Sequence, residues 1–190
     1  MLINERAQFD LARRLRLKTV PLGEVFSFLS GLYFRGKMAY AKAFAKPPPD
    51  LPGIFVITTN RGLLNAGTPI DLKQFQAFSK IDIDEDNPLY RRPLLREAKR
   101  ICQKFPAPCE VVLLGSVATG KYVNILHEVF GERLYFPLEF IGRGDMSRGG
   151  LMLRSAADGT ELEYISISGA VRRGKRPEKL IPRRYPKATA

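Results

Sequence analysis

The sequence predicts an α/β fold: a single domain with a mixed, mostly parallel sheet, flanking helices and an antiparallel C-terminal hairpin. Two nearly continuous apolar runs rich in β-branched residues, 53–58 and 110–114, are typical of strands buried on both faces of a parallel sheet. Segments with helical periodicity follow each run. A chain of 190 residues with 45% hydrophobic and 26% charged residues is long enough to bury a core, and its length favours one domain.

The α/β domain is expected to span residues 1–170, and its first part, residues 1–46, is expected to be helical. Residues 3–18 carry apolar side chains at the spacing of a short amphipathic helix, and residues 22–45 predict a longer one. Small residues along the longer helix would let another element approach it closely. Three consecutive prolines at 47–49 predict the end of this helix and form a linker.

The sheet-containing core is expected to span residues 53–170. After the first strand, the segment from Asp71 to Ser79 predicts a helix with its first residue as the N-cap, and residues 88–104 predict a basic helix. A helix over 121–130 and a short strand over 134–136 follow the second apolar run. This alternation of strands and helices is the pattern of βαβ units.

The C-terminal part of the core carries a hairpin signal. Asp158-Gly159 lies between the segments 151–155 and 162–168, and a dipeptide of this type is strongly favoured in the two-residue turn of a hairpin. We therefore expect two antiparallel edge strands here, which place apolar residues such as Leu153 or Ile165 in the core.

The composition excludes several functional classes. One histidine and two cysteines supply too few ligands for a four-ligand zinc site of the usual kinds, and they do not form a disulfide framework. The most apolar stretch, residues 25–34, is far shorter than the roughly 18 residues that suggest a membrane span. We expect a soluble cytoplasmic protein with no membrane partner, and the sequence indicates no particular cofactor.

The charge is strongly positive and uneven. The formal net charge is +12, and the C-terminal tail, residues 171–190, holds eight Lys and Arg residues against one Glu. Prolines in the tail predict an extended, loosely held segment. Arg172, Arg173 and Arg176 are candidate contacts to the phosphates of a nucleic acid, because each such contact displaces a counterion. The alternative is a solvated tail that only aids solubility.

A first candidate site is the turn over residues 115–121, which has the pattern G-x-x-x-x-G-K between a predicted strand and a predicted helix. Ser116, Thr119 and Lys121 are candidate phosphate contacts, because the amides at a helix N-terminus attract anions. Tyr122 stands where a nucleoside triphosphatase carries the Ser or Thr that holds Mg²⁺, which argues against an ATPase. An ordinary strand-to-helix turn is the alternative.

A second candidate site is the glycine-rich segment 142–150, which is expected to be a loop. Arg143 and Arg148, with Ser147 beside them, are candidate phosphate contacts. Asp145 is the candidate catalytic residue, as a general base or as an acceptor for a ribose hydroxyl. The alternative is a mobile loop in which this carboxylate only pairs with the neighbouring arginines.

A third candidate site is the segment 58–62, at the carboxyl end of the first predicted strand. Ligands of open α/β sheets bind at that edge, so Asn60 and Arg61 are expected to share one cleft with the turn at Gly115. The alternative is a hairpin-like turn capped by the asparagine.

Four segments, TNRGLLNAGTPID, VVLLG, GKYVNILHEVFG and LYFPLEFIGRGDMSRG, together resemble the YaaA-like group and related uncharacterised bacterial and phage α/β proteins. The resemblance covers about residues 53–148 and implies an α/β fold with DNA binding or another role linked to nucleic acids. It implies no catalytic residue, and the N-terminal helices and the basic tail lie outside it.

We therefore predict a nucleic-acid-binding or nucleic-acid-processing protein with a phosphate-binding cleft. One alternative is an enzyme that acts on a small nucleotide or phosphorylated ligand in the same cleft, without the tail. Another is a non-catalytic interaction module whose tail docks on an acidic partner. The sequence does not distinguish DNA from RNA, and it leaves open whether the protein is an enzyme.

Overall fold

The computed structural model describes residues 2, 4 and 6–181, and these form seven α-helices and seven short strands. The helices are α1 (Asp10–Leu17), α2 (Leu22–Leu29), α3 (Gly31–Phe44), α4 (Leu72–Phe78), α5 (Pro88–Cys102), α6 (Gly120–Phe130) and α7 (Asp145–Asp158). The strands are β1 (Val20–Pro21), β2 (Phe55–Thr58), β3 (Gly62–Asn65), β4 (Pro69–Ile70), β5 (Val111–Val112), β6 (Leu134–Pro137) and β7 (Tyr164–Ser166). The mixed α/β class is therefore confirmed.

The strands form three small sheets, so the expected mostly parallel sheet is wrong. Strands β1 and β4 pair antiparallel, as do β2 and β3, while β6 lies between a parallel β5 and an antiparallel β7. The first apolar run does not join the second because the chain reverses at once, at Gly62, whose φ of 69° suits a tight turn. Strand β2 therefore pairs with its immediate neighbour in the sequence.

The expected C-terminal hairpin is also wrong, because most of it is helix α7. Gly159 has a φ of 65° and serves as the left-handed C-cap of that helix instead of a hairpin turn. Helix α7 begins at Asp145, so the second half of the predicted glycine-rich loop is helical too. Its residue Met152 is fully buried, whereas Leu153 and Ile165, which were expected in the core, are half-buried.

The N-terminal helices are shorter than expected, while several local predictions are confirmed. The single helix expected over 22–45 is divided into α2 and α3 at Gly31, whose φ is 56°. The N-cap of α4 is confirmed, since the Asp71 carboxylate accepts a hydrogen bond from the Gln74 amide at 2.7 Å. Helix α6 ends at Gly131, as the sequence indicates.

Two hydrophobic clusters form the core, and α3 lies between them. The first cluster packs α5, α6 and α7 around β5, β6 and β7, and the second packs α1, α2 and α4 around β1 and β2. Tyr40 of α3 belongs to the first cluster, while Phe34 and Met38 of the same helix pack against the second. Large residues that are fully buried in these clusters include Leu15, Leu22, Tyr90, Leu94, Phe136 and Phe140.

Helices α3 and α7 touch through their backbones. A Cβ on Gly36 would lie 2.6 Å from the carbonyl oxygen of Gly149, and a Cβ on Gly149 would lie 2.8 Å from the Cα of Tyr33. Only glycine fits at both positions. This crossing brings the polar side chains at the start of α3 next to the start of α7.

Candidate functional site

The predicted turn over residues 115–121 lies at the carboxyl end of β5, where the parallel β5–β6 pair ends. Thr119 is the exposed N-cap residue of α6, and Ser116 in the turn is half-buried. Lys121 lies in the first turn of α6, with its Nζ 5.2 Å from the centre of the Tyr122 ring. The Lys121 carbonyl accepts a hydrogen bond of 3.0 Å from Tyr90. We call this region the carboxyl edge, and it is where ligands bind in open α/β sheets.

The basic segment, which we define as residues 171–181, crosses the carboxyl edge instead of leaving the body freely. The Arg172 guanidinium donates a hydrogen bond of 3.5 Å to the carbonyl of Val117. Arg173 Nε donates one of 3.3 Å to the carbonyl of Ala118. Two cations of the basic segment therefore contact the predicted anion-binding turn through its main chain.

The rest of the basic segment continues along the start of α7. Gly142 has a φ of 71°, and a Cβ there would overlap the carbonyl oxygen of Lys175. This glycine of the glycine-rich segment therefore makes room for the chain that crosses it. Further on, Arg154 donates a hydrogen bond to the carbonyl of Ile181. The remainder of the predicted tail, residues 182–190, lies outside the described residues.

The two arginines predicted at this site have different environments. Arg148 is only 5% exposed, and its Nε and Nη2 both donate to the carbonyl of Phe140, at 3.3 and 3.0 Å. Arg143 is half-buried and donates to the hydroxyl of Ser147 at 3.2 Å and to the carbonyl of Glu178 at 3.4 Å. The first arginine therefore supports the fold, while the second lies against the basic segment.

Asp145 is the first residue of α7, and its side chain is 64% exposed. One carboxylate oxygen lies 3.6 Å from Arg148 Nη1. The pairing with a neighbouring arginine that was the alternative interpretation is therefore present, although the carboxylate stays open to solvent on its other side. Arg176 of the basic segment is exposed as well.

Sequence reasoning missed two residues of α3 that the helix crossing brings to this site. Tyr33 donates a hydrogen bond of 3.2 Å to the carbonyl of Leu114, at the end of the second apolar run. Burial raises the pKa of Tyr33 to about 12, against the opposing effect of Arg148. Lys37 lies one turn further along, with its Nζ 3.9 Å from the centre of the Tyr33 ring. The one signal in the sequence was the small residue between them, Gly36.

Burial also acts on Lys37. It lowers the pKa of this ammonium to about 8, and the nearby Asp145 carboxylate only partly opposes the effect. Burial likewise raises the pKa of Tyr122, which lies near the same carboxylate of Asp145. Lys37 is therefore an amine with a pKa lowered to about 8, near the exposed carboxylate of Asp145.

The sheet was expected to bring Asn60 and Arg61 to the carboxyl edge, but it does not. They form the turn of the β2–β3 hairpin, and among the described strands β2 pairs only with β3. The hydroxyl of Thr59 anchors this turn through a hydrogen bond of 2.6 Å to the carbonyl of Phe78. Asn60 Oδ1 is buried without a hydrogen-bond partner. The hairpin-like turn of the alternative interpretation is observed, but the hydroxyl of Thr58, not Asn60, accepts a hydrogen bond from the Arg61 amide in this turn, at 3.3 Å.

A cavity of about 940 Å³ lies between the two hydrophobic clusters, along α3. Gly115 and Tyr122 line it at the carboxyl edge, and Lys37 lines it from α3. The residues that line the cavity do not include Asn60 or Asp145. The three predicted sites therefore do not surround one common cavity.

Neither a metal-binding cluster in the described residues nor a known relative identifies a ligand for this site. Within residues 2, 4 and 6–181, no group of three or more His, Cys, Asp or Glu residues is placed to hold a metal ion. None of the helices in the same part of the chain combines the length and the apolar character that a membrane crossing requires. No protein-family model, no curated protein and no solved structure matches the chain. The resemblance to the YaaA-like group stays a prediction.

Proposed function

We propose that the protein binds nucleic acid through the phosphate backbone, along the basic segment and the carboxyl edge that it crosses. One observation carries the proposal: the arginines that hold the basic segment on the body donate to main-chain carbonyls, not to carboxylates. A carbonyl accepts a hydrogen bond without neutralising the cation, so the positive charge remains available to phosphates.

The charges around the basic segment support this proposal. Its exposed cations are Arg173, Lys175, Arg176 and Lys179, and its single acid is Glu178. In the described part of the chain, no cation of the basic segment forms an ion pair with a carboxylate. An extended run of unpaired cations follows a polyphosphate backbone well, because neighbouring phosphates repeat at a similar spacing.

The basic helix α5 has a comparable composition but different surroundings. Arg96 and Arg100 both pair with Glu97, at 3.1 and 2.8 Å, and Arg91 pairs with Glu128. Much of the positive charge on this helix is therefore balanced locally. The contrast favours the basic segment over α5 as the proposed nucleic-acid contact.

The test is a salt series of binding isotherms for a fluorescent single-stranded and a duplex oligonucleotide, with the full chain. The triple variant Lys175→Gln, Arg176→Gln, Lys179→Gln removes three exposed cations of the basic segment. We expect the slope of log K against log salt to become shallower by about 2–3, which corresponds to three lost phosphate contacts.

The matched control removes three exposed cations from the other basic region, by Arg92→Gln, Lys99→Gln and Lys104→Gln. We expect this variant to change the slope by less than about 1, since its cations lie away from the proposed contact. Absence of binding by the unmodified protein at low salt, or equal effects of the two triple variants, would overturn the proposal.

If the bound nucleic acid is also processed, Asp145 is the residue we expect to act. The substitution Asp145→Asn keeps the shape of the side chain and removes its capacity as a base. Turnover of a labelled oligonucleotide is then expected to be lost while the binding isotherm stays unchanged. Unchanged turnover in this variant would leave Asp145 as a charge partner of Arg148 only.

A further inference from the structure

The cavity beside α3 has the size and walls of a small-molecule site. Its volume of about 940 Å³ lies at the upper end of the roughly 300–1,000 Å³ that is typical of ligand pockets. It follows α3 from Phe34 to Phe44, a stretch of helix about 15 Å long. Aromatic rings from both hydrophobic clusters line it, among them Phe34, Phe44, Phe55, Phe105 and Phe130. These walls suit an elongated apolar molecule.

The position of α3 keeps this space open. On its other side, α3 is held against α7 by the backbone contact between Gly36 and Gly149. A movement of α3 away from α7 that closed the cavity would break this contact.

The polar groups at the far end of the cavity are already paired with one another. The hydroxyls of Tyr40 and Tyr164 are 2.7 Å apart, and Tyr164 also donates to Glu161 at 3.0 Å. The same glutamate accepts a hydrogen bond of 3.1 Å from Lys46. Because these polar groups already have hydrogen-bond partners, they do not require a charged ligand group.

Lys37, by contrast, lines the cavity without a carboxylate partner. Its Nζ contacts the faces of two rings, 3.9 Å from the centre of Tyr33 and 5.7 Å from that of Phe34. No ion pair joins Lys37 to any of the described carboxylates. The nearest acid, Asp145, already pairs with Arg148. A half-buried ammonium without an anion is a costly arrangement that a ligand anion would relieve.

We propose that the cavity binds an elongated apolar molecule with a carboxylate head, and that the Lys37 ammonium pairs with this head group. A single ammonium matches a singly charged carboxylate better than a phosphate, which in proteins is usually held by several donors. The neighbouring cation, Arg148, is not among the residues that line the cavity. Its Nε and Nη2 bind the carbonyl of Phe140, and its Nη1 lies 3.6 Å from Asp145. This site is separate from the basic segment and does not depend on the proposed nucleic-acid binding.

The test compares dodecanoate with dodecanol, which share the same tail, by calorimetric titration of the full chain below the micellar range. We expect the unmodified protein to bind the acid about tenfold or more tightly than the alcohol, as a charge-assisted hydrogen bond predicts. In Lys37→Met this ratio should fall to about one. In the control Lys42→Met, which alters an exposed lysine of the same helix, the ratio should be unchanged.

A second variant tests the cavity itself. Ala41 lines the cavity from α3, so Ala41→Leu fills part of the space and leaves the ammonium in place. We expect this variant to lose affinity for the acid and the alcohol alike, with a circular dichroism spectrum that matches the unmodified protein. Unchanged affinity for both compounds would show that they bind elsewhere.

The pH dependence provides a third measurement. The charged and titratable groups near Lys37 are Tyr33 on its own helix and Asp145 and Arg148 on α7. Tyr122 on α6 lies near Tyr33 and Asp145. Burial lowers the pKa of Lys37 to about 8, so affinity for dodecanoate should fall above that pH while affinity for dodecanol stays constant. Absence of binding by either compound, or equal affinity for both in the unmodified protein, would overturn the proposal.

Discussion

On the side that faces α7, helix α3 carries a glycine at the point of contact, and the two helix backbones touch there. On the side that faces β2 and β5, the same helix carries large side chains such as Phe34 and Phe44, yet a cavity remains. The two sides differ in the size of the residues at the contact. Paired glycines let helices approach until the main chains meet, whereas bulky rings meeting other rings leave gaps between them.

The largest effect on the tightly packed side is expected for Gly149→Ala. The new Cβ would lie 2.8 Å from the Cα of Tyr33 and 2.9 Å from the carbonyl oxygen of Leu32, both of which belong to a helix backbone. Since neither atom can move alone, we expect the free energy of unfolding to fall by about 3 kcal/mol in urea denaturation.

The neighbouring residue provides the matched control for that measurement. A Cβ on Gly150 would meet only the end of the Leu180 side chain, at 3.6 Å. Gly150→Ala should therefore raise the stability by about 0.5–1 kcal/mol through helix propensity. If both variants lost the same free energy of unfolding, the backbone contact would not be the cause of the close packing on this side.

A second prediction compares the two sides directly by enlarging one small residue on each. Gly36→Ala places a Cβ 2.6 Å from the carbonyl oxygen of Gly149, and we expect a loss of about 2–3 kcal/mol. Ala41→Leu adds a larger group, but into the cavity, and should change the stability by less than about 1 kcal/mol. The midpoints of urea denaturation measure both changes, and a larger loss for Ala41→Leu would reverse the comparison.

A third prediction concerns the buried arginine beside the crossing. Arg148→Met removes two hydrogen bonds to the Phe140 carbonyl and leaves that acceptor unpaired, so we expect a loss of about 2 kcal/mol. Arg143→Met serves as the control, because that arginine is half-buried and its bonds are at 3.2 and 3.4 Å. The control should lose less than about 1 kcal/mol in thermal or urea unfolding. A larger loss of stability in Arg143→Met than in Arg148→Met would assign the supporting role to Arg143.

The smallest expected effect is the pH dependence that Lys37 adds on the cavity side. Its pKa is about 8 in the folded protein against an ordinary 10.5, so between these values the unfolded chain binds more protons than the folded one. Stability due to this residue therefore rises with pH across that interval. Lys37→Met should remove the rise, a difference of about 1 kcal/mol between pH 7 and pH 8.5, in paired urea titrations. An identical pH profile for both proteins would contradict a half-buried amine.

Whether a sequence prediction was confirmed depends on whether it rests on local contacts or on contacts between distant segments. Asp71 and Gly131 mark helix ends by interactions within a few residues, so both predictions were confirmed. The dipeptide Asp158-Gly159 was misassigned because a left-handed glycine ends a helix as readily as it turns a hairpin. The buried positions at Arg148, Met152 and Ser155, spaced three and four residues apart, are the helical pattern that decides between the two.

The site could be predicted only in part for a related reason. The turn at Gly115 was placed correctly because a strand followed by a helix is a local pattern, and its strand lies in a parallel pair. Asn60 was placed wrongly because the strand before it pairs with the next segment of the chain instead of with β5. Choosing a strand partner depends on contacts between distant segments, which composition and periodicity do not specify.

The amino-acid sequence alone specified two helix ends, at Asp71 and Gly131, together with the α/β class and the strongly positive charge concentrated in the C-terminal tail. Packing between distant segments set the contact of Gly36 with Gly149, the position of Lys37 in the cavity wall, and the course of the basic segment across the carboxyl edge. The two groups of features differ in the distance along the chain over which the interactions act. Caps and periodicity act over a few residues, whereas close backbone approach and the burial of a charge depend on which distant segments share the same space.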